Sequence, residues 1–555
     1  MNATKEWHRR ALIGAFTLAL LAGGCQASEE EGSSPTTSVE TATKGGTLVL
    51  GANQEPACAD WYAACGTSSW GFDMMGNQTL PRPFMMVDFE YRPSSLLAAE
   101  PTLEMGPPQR VTYRIEPRAV WSDGRPITSS DFAFTFEQTK ASRLASTVVS
   151  IAGVDDSDPK VAVVTYRQPD PAWRDKFNVG ILPRHLLEGK DRAAEMATGY
   201  KWSGGPWLID HWTKGQEIKL VPNPTYWASK PHLDAVVFKV ITDTAAYQAA
   251  YKTGQIDMIF LQGAQPEAAE LKNLPDSRFV ATLGLSFEVV NFNVSKPPFD
   301  SRPVRQALAY AADRDAIVTQ LSGPFLPGVK PAQTFRSPVN KKWYSESFAR
   351  YRRDLAKVNQ LMTEDGWAKG PDGVWAKAGT RAAIEFSTTG GNRRRELTQE
   401  ILASQWKQAG FDVTINNPVP TMLLGDWHPK GTFQASLSGL VPVTTEPNAC
   451  STFCSKNTPT EGNGFQGGNF RRIASPALDA AWDAVEREVD DVKRVELVRR
   501  AQDVTAEEVP GIPVSPQLDI VVYNPIKVGG PVLPDPAGIF SRLNEWYCRA
   551  SSCRR

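Results

Sequence analysis

The sequence predicts a mixed α/β protein built as one large two-lobed body. Its 555 residues are enough for two or three ordinary domains or for one such body. Strand patterns, hairpins and helices succeed one another between residues 46 and 260. A new strand–loop–helix unit then begins at Phe287, more than halfway along the chain, and indicates the start of a second lobe.

Composition excludes one class of partner. Hydrophobic residues make up 41% of the chain and aromatic residues 10%, so real cores can form. The net charge is −1 and the sequence pI is about 6.6. A chain without a basic surplus has no electrostatic attraction for a polyanion, so nucleic acid is not an expected partner.

The first 24 residues have the form of an export signal. Lys5, Arg9 and Arg10 give a basic start, and Ala11 to Ala22 form an apolar run. That run is too short to cross a bilayer as a lasting helix, which needs about 20 residues. Because the arginine pair loosely resembles a twin-arginine signal, both the Sec and the twin-arginine routes stay open.

Cys25 is the expected site of lipid attachment. The stretch Leu21-Ala22-Gly23-Gly24-Cys25 resembles the lipobox of bacterial lipoproteins, with alanine where leucine is commonest. Cleavage without lipid, or a short membrane anchor, are the alternatives. Residues 25–45 are polar and nearly free of large apolar side chains, which predicts a flexible tether.

The other six cysteines fall into three local couples. In an exported protein such couples predict disulfides, and the rival interpretation is a zinc site. No histidine stands at ligand spacing beside them, so disulfides are the prediction. The couples are Cys58 with Cys65, Cys450 with Cys454, and Cys548 with Cys553.

The first lobe is expected to start at a short buried strand, Gly46 to Gly51. The loop that follows is rich in aromatic residues, and Trp61, Tyr62 and Trp70 are candidate ligand contacts. The alternative is a cysteine-pinned loop that only packs. Further on, residues 128–131 (TSSD) have the pattern of a capping box at the start of a helix.

The second lobe is expected to open with a strand, FEVVNFNV, and a helix. Asp300 or Ser301 is a good N-cap, and Pro303 suits the first turn. An apolar face follows at helical spacing. Its members are Val304, Ala307, Leu308 and Ala311, while Arg302, Arg305 and Asp313 are expected to fasten helix to strand rather than touch a solute.

Five stretches in order resemble one family, the bacterial extracellular solute-binding proteins of the oligopeptide, dipeptide and nickel class. The resemblance covers almost all of the chain after the tether. The stretches are KGGTL (44–48), the WSDGRPIT block within 113–137, the GPW…NPTYW hairpin (205–227), TGQIDM (253–258) and RPVRQALAYAADRDAI (302–317).

The resemblance implies a type II periplasmic-binding-protein-like fold with an extra subdomain in the first lobe and a ligand cleft between the lobes. It implies a first lobe of residues 46–285 and 519–555 and a second lobe of residues 286–518. It also implies a monomeric binding protein, not an enzyme, that hands a peptide or other small molecule to the membrane permease subunits of an ABC importer. With the lipobox, it places the chain outside the cytoplasmic membrane, held by lipid only.

Two candidate ligand contacts come from the second lobe. Residues 393–395 are three arginines before a helix, a setting that suits an anion. In dipeptide-binding relatives a neighbouring arginine takes the peptide carboxylate, so Arg393 or Arg395 is the candidate here. A solvated run of charge is the alternative.

Glu446, followed by proline, stands where relatives hold the ligand's ammonium with an aspartate. A carboxylate buried without a partner is costly, which gives it a use when a cation arrives. An ordinary loop acid is the alternative. Asn448 in the same loop and Trp427 nearby complete the predicted site, although Trp427 also fits a core position.

The sequence gives little support for hydrolytic catalysis or for direct metal binding. A G-x-S-x-G elbow, an H-E-x-x-H helix and a Cys–His couple are all missing from the sequence. The five histidines are not paired at ligand spacing, so no metal site and no cofactor are expected. A metal-chelate binder of the same fold and a secreted hydrolase that uses two cleft carboxylates remain the alternatives.

Overall fold

The computed structural model describes residues 43–66, 68–87, 89–262, 268–440, 446–447, 449–533, 538–549 and 553. The expected export signal, Cys25, most of the tether and Asn448 lie outside the described residues. The tether ends earlier than expected, because Gly45 N already donates to the carbonyl of His232 at 2.7 Å.

The strands are β1 Thr47–Ala52, β2 Phe84–Val87, β3 Glu90–Pro93, β4 Thr102–Glu104, β5 Arg110–Arg114, β6 Ile151–Asp158, β7 Val161–Tyr166, β8 Trp207–Thr213, β9 Glu217–Pro222, β10 Ala235–Val240, β11 Met258–Gln262, β12 Arg278–Phe292, β13 Ala368–Lys369, β14 Trp375–Lys377, β15 Thr380–Arg381, β16 Ala383–Thr388, β17 Asp412–Ile415, β18 Ala435–Leu440, β19 Gly511–Tyr523, β20 Val528–Gly529 and β21 Tyr547–Cys548.

The α-helices are α1 Ser69–Gly71, α2 Asn77–Thr79, α3 Ser129–Lys140, α4 Arg184–Leu187, α5 Arg192–Glu195, α6 Thr244–Lys252, α7 Ala268–Lys272, α8 Arg302–Ala311, α9 Arg314–Leu321, α10 Leu355–Glu364, α11 Arg393–Gln408, α12 Pro420–Met422, α13 His428–Lys430, α14 Cys450–Phe453, α15 Pro476–Arg487 and α16 Asp491–Glu508.

One mixed sheet runs through both lobes. Its order is β17-β16-β18-β12-β19-β11-β1-β10-β9-β8. The first lobe holds β8 to β11 and β1, and the second lobe holds β16 to β18. The long strands β12 and β19 pair antiparallel at the centre and run from one lobe into the other. We call them the crossing strands.

The first crossing strand, β12, begins earlier than expected. The second-lobe strand was expected to start at Phe287, but β12 already starts at Arg278, because residues 278–283 pair with β19. The boundaries at 286 and 519 therefore fall inside continuous strands. The pairing shifts register between Leu283 and Phe287 and again between Glu288 and Val289.

Separate cores support the two lobes. In the first lobe, one face of the sheet packs on a core that includes Trp61, Trp70 and Phe260. In the second lobe, Val290 and Phe292 pack under α8 and α11. Strands β4 to β7 and α3 form an extra subdomain within the first lobe, with a third core of their own.

The helix α8 forms as its sequence predicts. Ser301, not Asp300, is the N-cap, and its hydroxyl accepts from Val304 N. The predicted apolar face is buried. Arg305 donates to the carbonyls of Phe299 and Glu508, which confirms that it fastens the helix to its surroundings.

The capping box predicted at the start of α3 is confirmed. In α3 the Asp131 carboxylate accepts from Thr128 N at 2.9 Å, as a capping box requires. Asp313 caps α9 by accepting from Ala316 N at 2.9 Å. Arg302 forms an ion pair with Glu508 at 3.7 Å rather than facing a cavity.

Candidate functional site on the crossing strands

The structure brings each cysteine couple to disulfide distance. The Cα atoms are 5.4 Å apart for Cys58 and Cys65, 4.7 Å for Cys450 and Cys454, and 5.7 Å for Cys548 and Cys553. The ligand atoms of Cys450, Cys454 and Asp483 also lie within 4.8 Å of one another. With the two sulfurs joined, that group offers no thiolate to a metal.

Polar side chains gather where the crossing strands leave the first lobe. Asp519 on β19 stands opposite Thr282 on β12. Its carboxylate lies over Gly284, where a methyl group would come within 2.6 Å of Oδ2. Ser337 donates its hydroxyl to the Gly284 carbonyl at 2.7 Å and so ties the second-lobe segment around residue 337 to the same point.

A buried charge cluster lies next along the crossing strands. Glu288 on β12 is fully buried and accepts from Arg394 at 2.5 Å, from Arg395 at 3.2 Å and from Gln517 at 2.6 Å. Burial alone would raise the pKa of the Glu288 carboxyl, but the two guanidinium groups outweigh it and hold that pKa below its usual value. Two cations on one anion leave one positive charge.

A recess opens beside this cluster. Its free volume is only about 10 Å³, about what one water molecule needs, and its wall contains Arg394, Ser515 and Gln517. Helix α9 closes one side through Ile317 and Leu321. A larger and more open recess, with a free volume of about 410 Å³, lies on the extra subdomain. Two of its lining residues, Arg184 and Glu188, form an ion pair with each other at 2.8 Å.

Glu446, predicted as the acid for a ligand ammonium, already has a cation. Its Oε2 lies 2.5 Å from Nη1 of Arg494, and its backbone carbonyl accepts from Arg336 at 2.8 Å. Arg336 precedes Ser337, so this network adjoins the crossing strands. Arg494 in turn stacks over Trp343 at 5.4 Å. Whether Glu446 contacts a ligand stays a prediction.

The predicted arginines have different environments. Arg393 is exposed and pairs with Glu400 at 3.0 Å. Arg395 points inward to Glu288 and also donates to the Thr389 hydroxyl at 3.0 Å. Arg394, which was not named from the sequence as a candidate ligand contact, is the least exposed of the three and lines the recess. Contact of Arg393 or Arg395 with a ligand stays a prediction.

The three predicted aromatic contacts of the first lobe are buried in its core, between 1% and 4% exposed. Tyr62 donates to the Gly180 carbonyl at 2.5 Å, and Trp61 donates to the Tyr200 hydroxyl at 3.4 Å. Trp70 stacks on Phe260 with ring centroids 4.9 Å apart. In this structure they pack, and their contact with a ligand stays a prediction.

Trp427 is half-buried at the end of a single wide helical turn, Leu423–Trp427. The structure gives no ring contact for it among the described residues. Its place in the site stays a prediction, as does that of Asn448.

Arg471 is a buried cation that the sequence did not single out. It is fully buried, and Nη2 donates to the Asn291 amide oxygen. The rings of Phe335, Phe453 and Phe470 surround the guanidinium at 4.8 to 5.5 Å. Its Nε and Nη1 have no partner within the described part of the chain. Burial lowers its pKa to about 9.

Sequence reasoning missed Asp519, Glu288 and Gln517 as members of this site. A weak signal was present, because an acid within an apolar strand run, as in FEVVNF and LDIVVY, is costly to bury without a reason. The partners of Glu288 are Arg394, Arg395 and Gln517, all more than 100 positions away in the chain.

Within the described ranges, no helix is both long enough and apolar enough to pass through a bilayer.

Comparisons with known proteins identify the family. The sequence profile of the bacterial extracellular solute-binding proteins, family 5, matches residues 93–461. A Brucella abortus relative is 28% identical over 463 residues, which are 77% of this chain and 82% of the relative. The oligopeptide-binding protein AppA of Bacillus subtilis is 26% identical over 412 residues, 72% of this chain and 74% of AppA.

Solved structures share the fold. The periplasmic EDTA-binding protein EppA superposes with a TM-score of 0.81 at 20% identity, over 92% of this chain and 97% of EppA. AppA of Bacillus subtilis, in complex with a nonapeptide, superposes with a TM-score of 0.72 at 22% identity, over 91% of this chain and 99% of AppA. The two-lobed type II binding-protein fold is therefore confirmed.

Proteins of this family are substrate-binding proteins and not enzymes, so the hydrolase alternative falls away. With its profile match spanning more than half of the chain and its fold in agreement, this chain belongs to the bacterial extracellular solute-binding proteins of family 5.

Proposed function

We propose that this chain captures a peptide, or another small organic solute of similar charge, outside the cytoplasm and delivers it to the permease subunits of an ABC importer. Family membership carries the proposal. Among the sequence relatives, AppA of Bacillus subtilis is named an oligopeptide-binding protein.

The charge on the second-lobe side of the crossing strands supports an acidic group on the solute. Glu288 neutralises only one of Arg394 and Arg395, and both line or adjoin the recess. A carboxylate that approaches this cluster would meet the remaining positive charge through a planar guanidinium, the geometry that suits carboxylates best.

A metal chelate rich in carboxylates is the second candidate. The observation that favours it is the surplus of arginine near the crossing strands. Five arginines stand against the three carboxylates of Glu288, Glu446 and Asp519. They are Arg336, Arg394, Arg395, Arg471 and Arg494.

The anchoring is also part of the proposal. A lipid on Cys25 would anchor the protein to the outer face of the cytoplasmic membrane, with residues 25–42 as the linker to the folded lobes. The exported location supports disulfides in all three cysteine couples. The protein is proposed to work as a monomer, because one chain contains both lobes and the whole site.

The experiment is thermal unfolding of the purified protein with pools of di- to pentapeptides, and separately with iron(III)-EDTA. A true ligand at 100 times its Kd stabilises a folded protein by about 2.7 kcal/mol. A shift with peptides supports the first candidate, and a shift with the chelate alone supports the second. No shift with either would contradict both. Native mass spectrometry of the protein as purified would identify any solute that it carries along.

Export and lipid attachment need their own measurement. Radioactive palmitate should label the wild type and leave a Cys25→Ser variant unlabelled. Labelling of both would contradict the assignment of Cys25. The intact mass should fall short of the free-thiol mass by about 6 Da if all three couples are oxidised, because each disulfide removes two hydrogens.

A further inference from the structure

Asp519 is a half-buried acid without a hydrogen-bond or ion-pair partner, whereas every fully buried acid of the described chain has one. Asp60 pairs with Arg192, Asp257 with Lys527, Glu288 with Arg394 and Arg395, and Glu446 with Arg494. Asp73 and Asp131 accept backbone N–H groups. Among the described residues, none donates a hydrogen bond or an ion pair to Asp519.

A second polar group near Asp519 also lacks a hydrogen-bond partner among the described residues. Thr282 stands directly across from it, and its hydroxyl is buried without a partner within the described part of the chain. Side chains that face each other across an antiparallel pair have Cβ atoms about 5 Å apart. One small donor group can therefore reach both the carboxylate and the hydroxyl.

Gly284 lets the Asp519 carboxylate lie close against the backbone of β12. Gly284 supplies no side chain, and the Asp519 carboxylate occupies the space that a methyl group would fill. Further along β19 on the same face, Val521 and Tyr523 enter the aromatic core of the first lobe. In the other direction Gln517, two residues or about 7 Å away, reaches the Glu288 cluster. Asp519 thus lies between an aromatic wall and a positive cluster.

A carboxylate that is partly removed from water and has no partner is stabilised most by a bound cation. Burial, with no compensating donor, raises the pKa of the Asp519 carboxyl to about 6. The carboxylate is still ionised at neutral pH, and a positive group that pairs with it recovers the interaction that it lost on leaving water.

The acid expected from family position is less suited to this role. Glu446 already contacts the guanidinium of Arg494 at 2.5 Å and lies beside Arg336. A ligand ammonium at Glu446 would have to compete with Arg494 and would meet its positive charge at close range.

We propose that Asp519, with the hydroxyl of Thr282, binds the α-ammonium group of the peptide that the protein captures. The inference rests on the proposed peptide function and names a residue for it. A peptide bound this way has its amino end at the first-lobe side of the crossing strands and its carboxyl end toward Arg394 and the recess.

The test measures binding by titration calorimetry at pH 7.5. The probes are the peptide from the di- to pentapeptide pool that stabilises the wild type most, and the same peptide N-acetylated. Asp519→Asn should lose about tenfold or more in affinity for the free peptide, because a charge-assisted hydrogen bond is lost. Thr282→Val should lose less, about threefold to tenfold. Acetylation should weaken binding to the wild type by as much as Asp519→Asn does, and should add little to that variant.

Asp276→Asn is the matched control. It makes the same chemical change at an exposed position just before β12, and asparagine tolerates the positive φ there. It should bind as the wild type does. Equal affinity of wild type and Asp519→Asn, or of free and acetylated peptide, would overturn the assignment of Asp519 alone. Failure of the wild type to bind any peptide would overturn the peptide function, and the assignment with it.

Discussion

Two acids on the crossing strands have opposite environments. Glu288 on β12 is fully buried and has two arginines and a glutamine around it. Asp519 on β19 is half-buried and has no partner among the described residues. The pKa of the first is held below its usual value, and the pKa of the second is raised. The first acid is part of the architecture, whereas the second has its bonding capacity still available.

The comparison predicts opposite responses to mutation. Removing an acid that has partners should destabilise the protein, because buried cations are left uncompensated. Removing the carboxylate charge from an acid without partners should stabilise the protein in the absence of solute and weaken binding. The predictions below test that contrast in order of expected size.

The largest effect is expected for Glu288→Ala. It leaves two guanidinium groups together without an anion, and breaking a buried pair in this way costs about 3–5 kcal/mol. Urea unfolding followed by tryptophan fluorescence measures the loss. A double variant, Glu288→Gln with Arg394→Gln, should recover part of it, because one cation is removed with the anion. Unfolding of Glu288→Ala at the wild-type urea midpoint would contradict an architectural role.

Glu446→Gln should have the next largest effect, a loss of about 2–3 kcal/mol in the free energy of unfolding. The amide keeps an acceptor for Arg494 but removes the charge that balances it. The same urea titration measures it, with Glu104→Gln on the exposed strand β4 as the matched control. If Glu446→Gln leaves stability unchanged but abolishes peptide binding, Glu446 and not Asp519 is the acid for the ligand.

Asp519→Asn should stabilise the solute-free protein at pH 7.5 by about 1 kcal/mol. The folded pKa of about 6 lies above the unfolded value of about 3.9. The contribution of this group to stability is therefore fully present below about pH 4 and is lost as the pH rises through about 6. The gain over wild type should grow across that window and then stay constant.

The neighbours of Asp519 make this titration simple to interpret. On β12 the residues beside it are Thr282 and Gly284, neither of which titrates. Urea midpoints of wild type, Asp519→Asn and Asp276→Asn at four pH values between 4 and 7.5 measure the effect. A midpoint difference between wild type and Asp519→Asn that does not change with pH would contradict a raised pKa.

The smallest effect is expected for Arg393→Ala. Its side chain is 55% exposed and pairs with the exposed Glu400, and such surface pairs contribute at most about 0.5 kcal/mol. Stability and peptide affinity should both stay close to wild type. A clear loss of affinity would move the carboxylate site from the Glu288 cluster to the exposed arginine.

The sequence was informative where structure is decided locally. The cap, proline and apolar face of α8 all lie within 12 residues of one another, and the cysteine couples lie within seven. The family motifs then predicted the two-lobed fold. Such features can be read without knowing what is adjacent in space.

The sequence was less informative where residues far apart in the chain determine the local structure. The nine residues before Phe287 form strand only because β19, more than 200 positions later, pairs with them. The register of α11, set by its Asn392 cap, turns Arg394 and Arg395 inward and Arg393 outward. Trp61, Tyr62 and Trp70 looked suited to a ligand, but their loop packs into the first-lobe core.

The register shifts in the crossing strands have a mechanical consequence. Two-lobed binding proteins close by rotation about a few residues at the junction of the lobes. The register shifts near Leu283 and Glu288 lie at that junction, and a rotation there would need few ladder hydrogen bonds to change. Rotation displaces each atom in proportion to its distance from the axis. A solute bound at Asp519 would lie close to that axis. Its bond to Asp519 would therefore change little during closure, while the outer walls of the cleft move toward the solute.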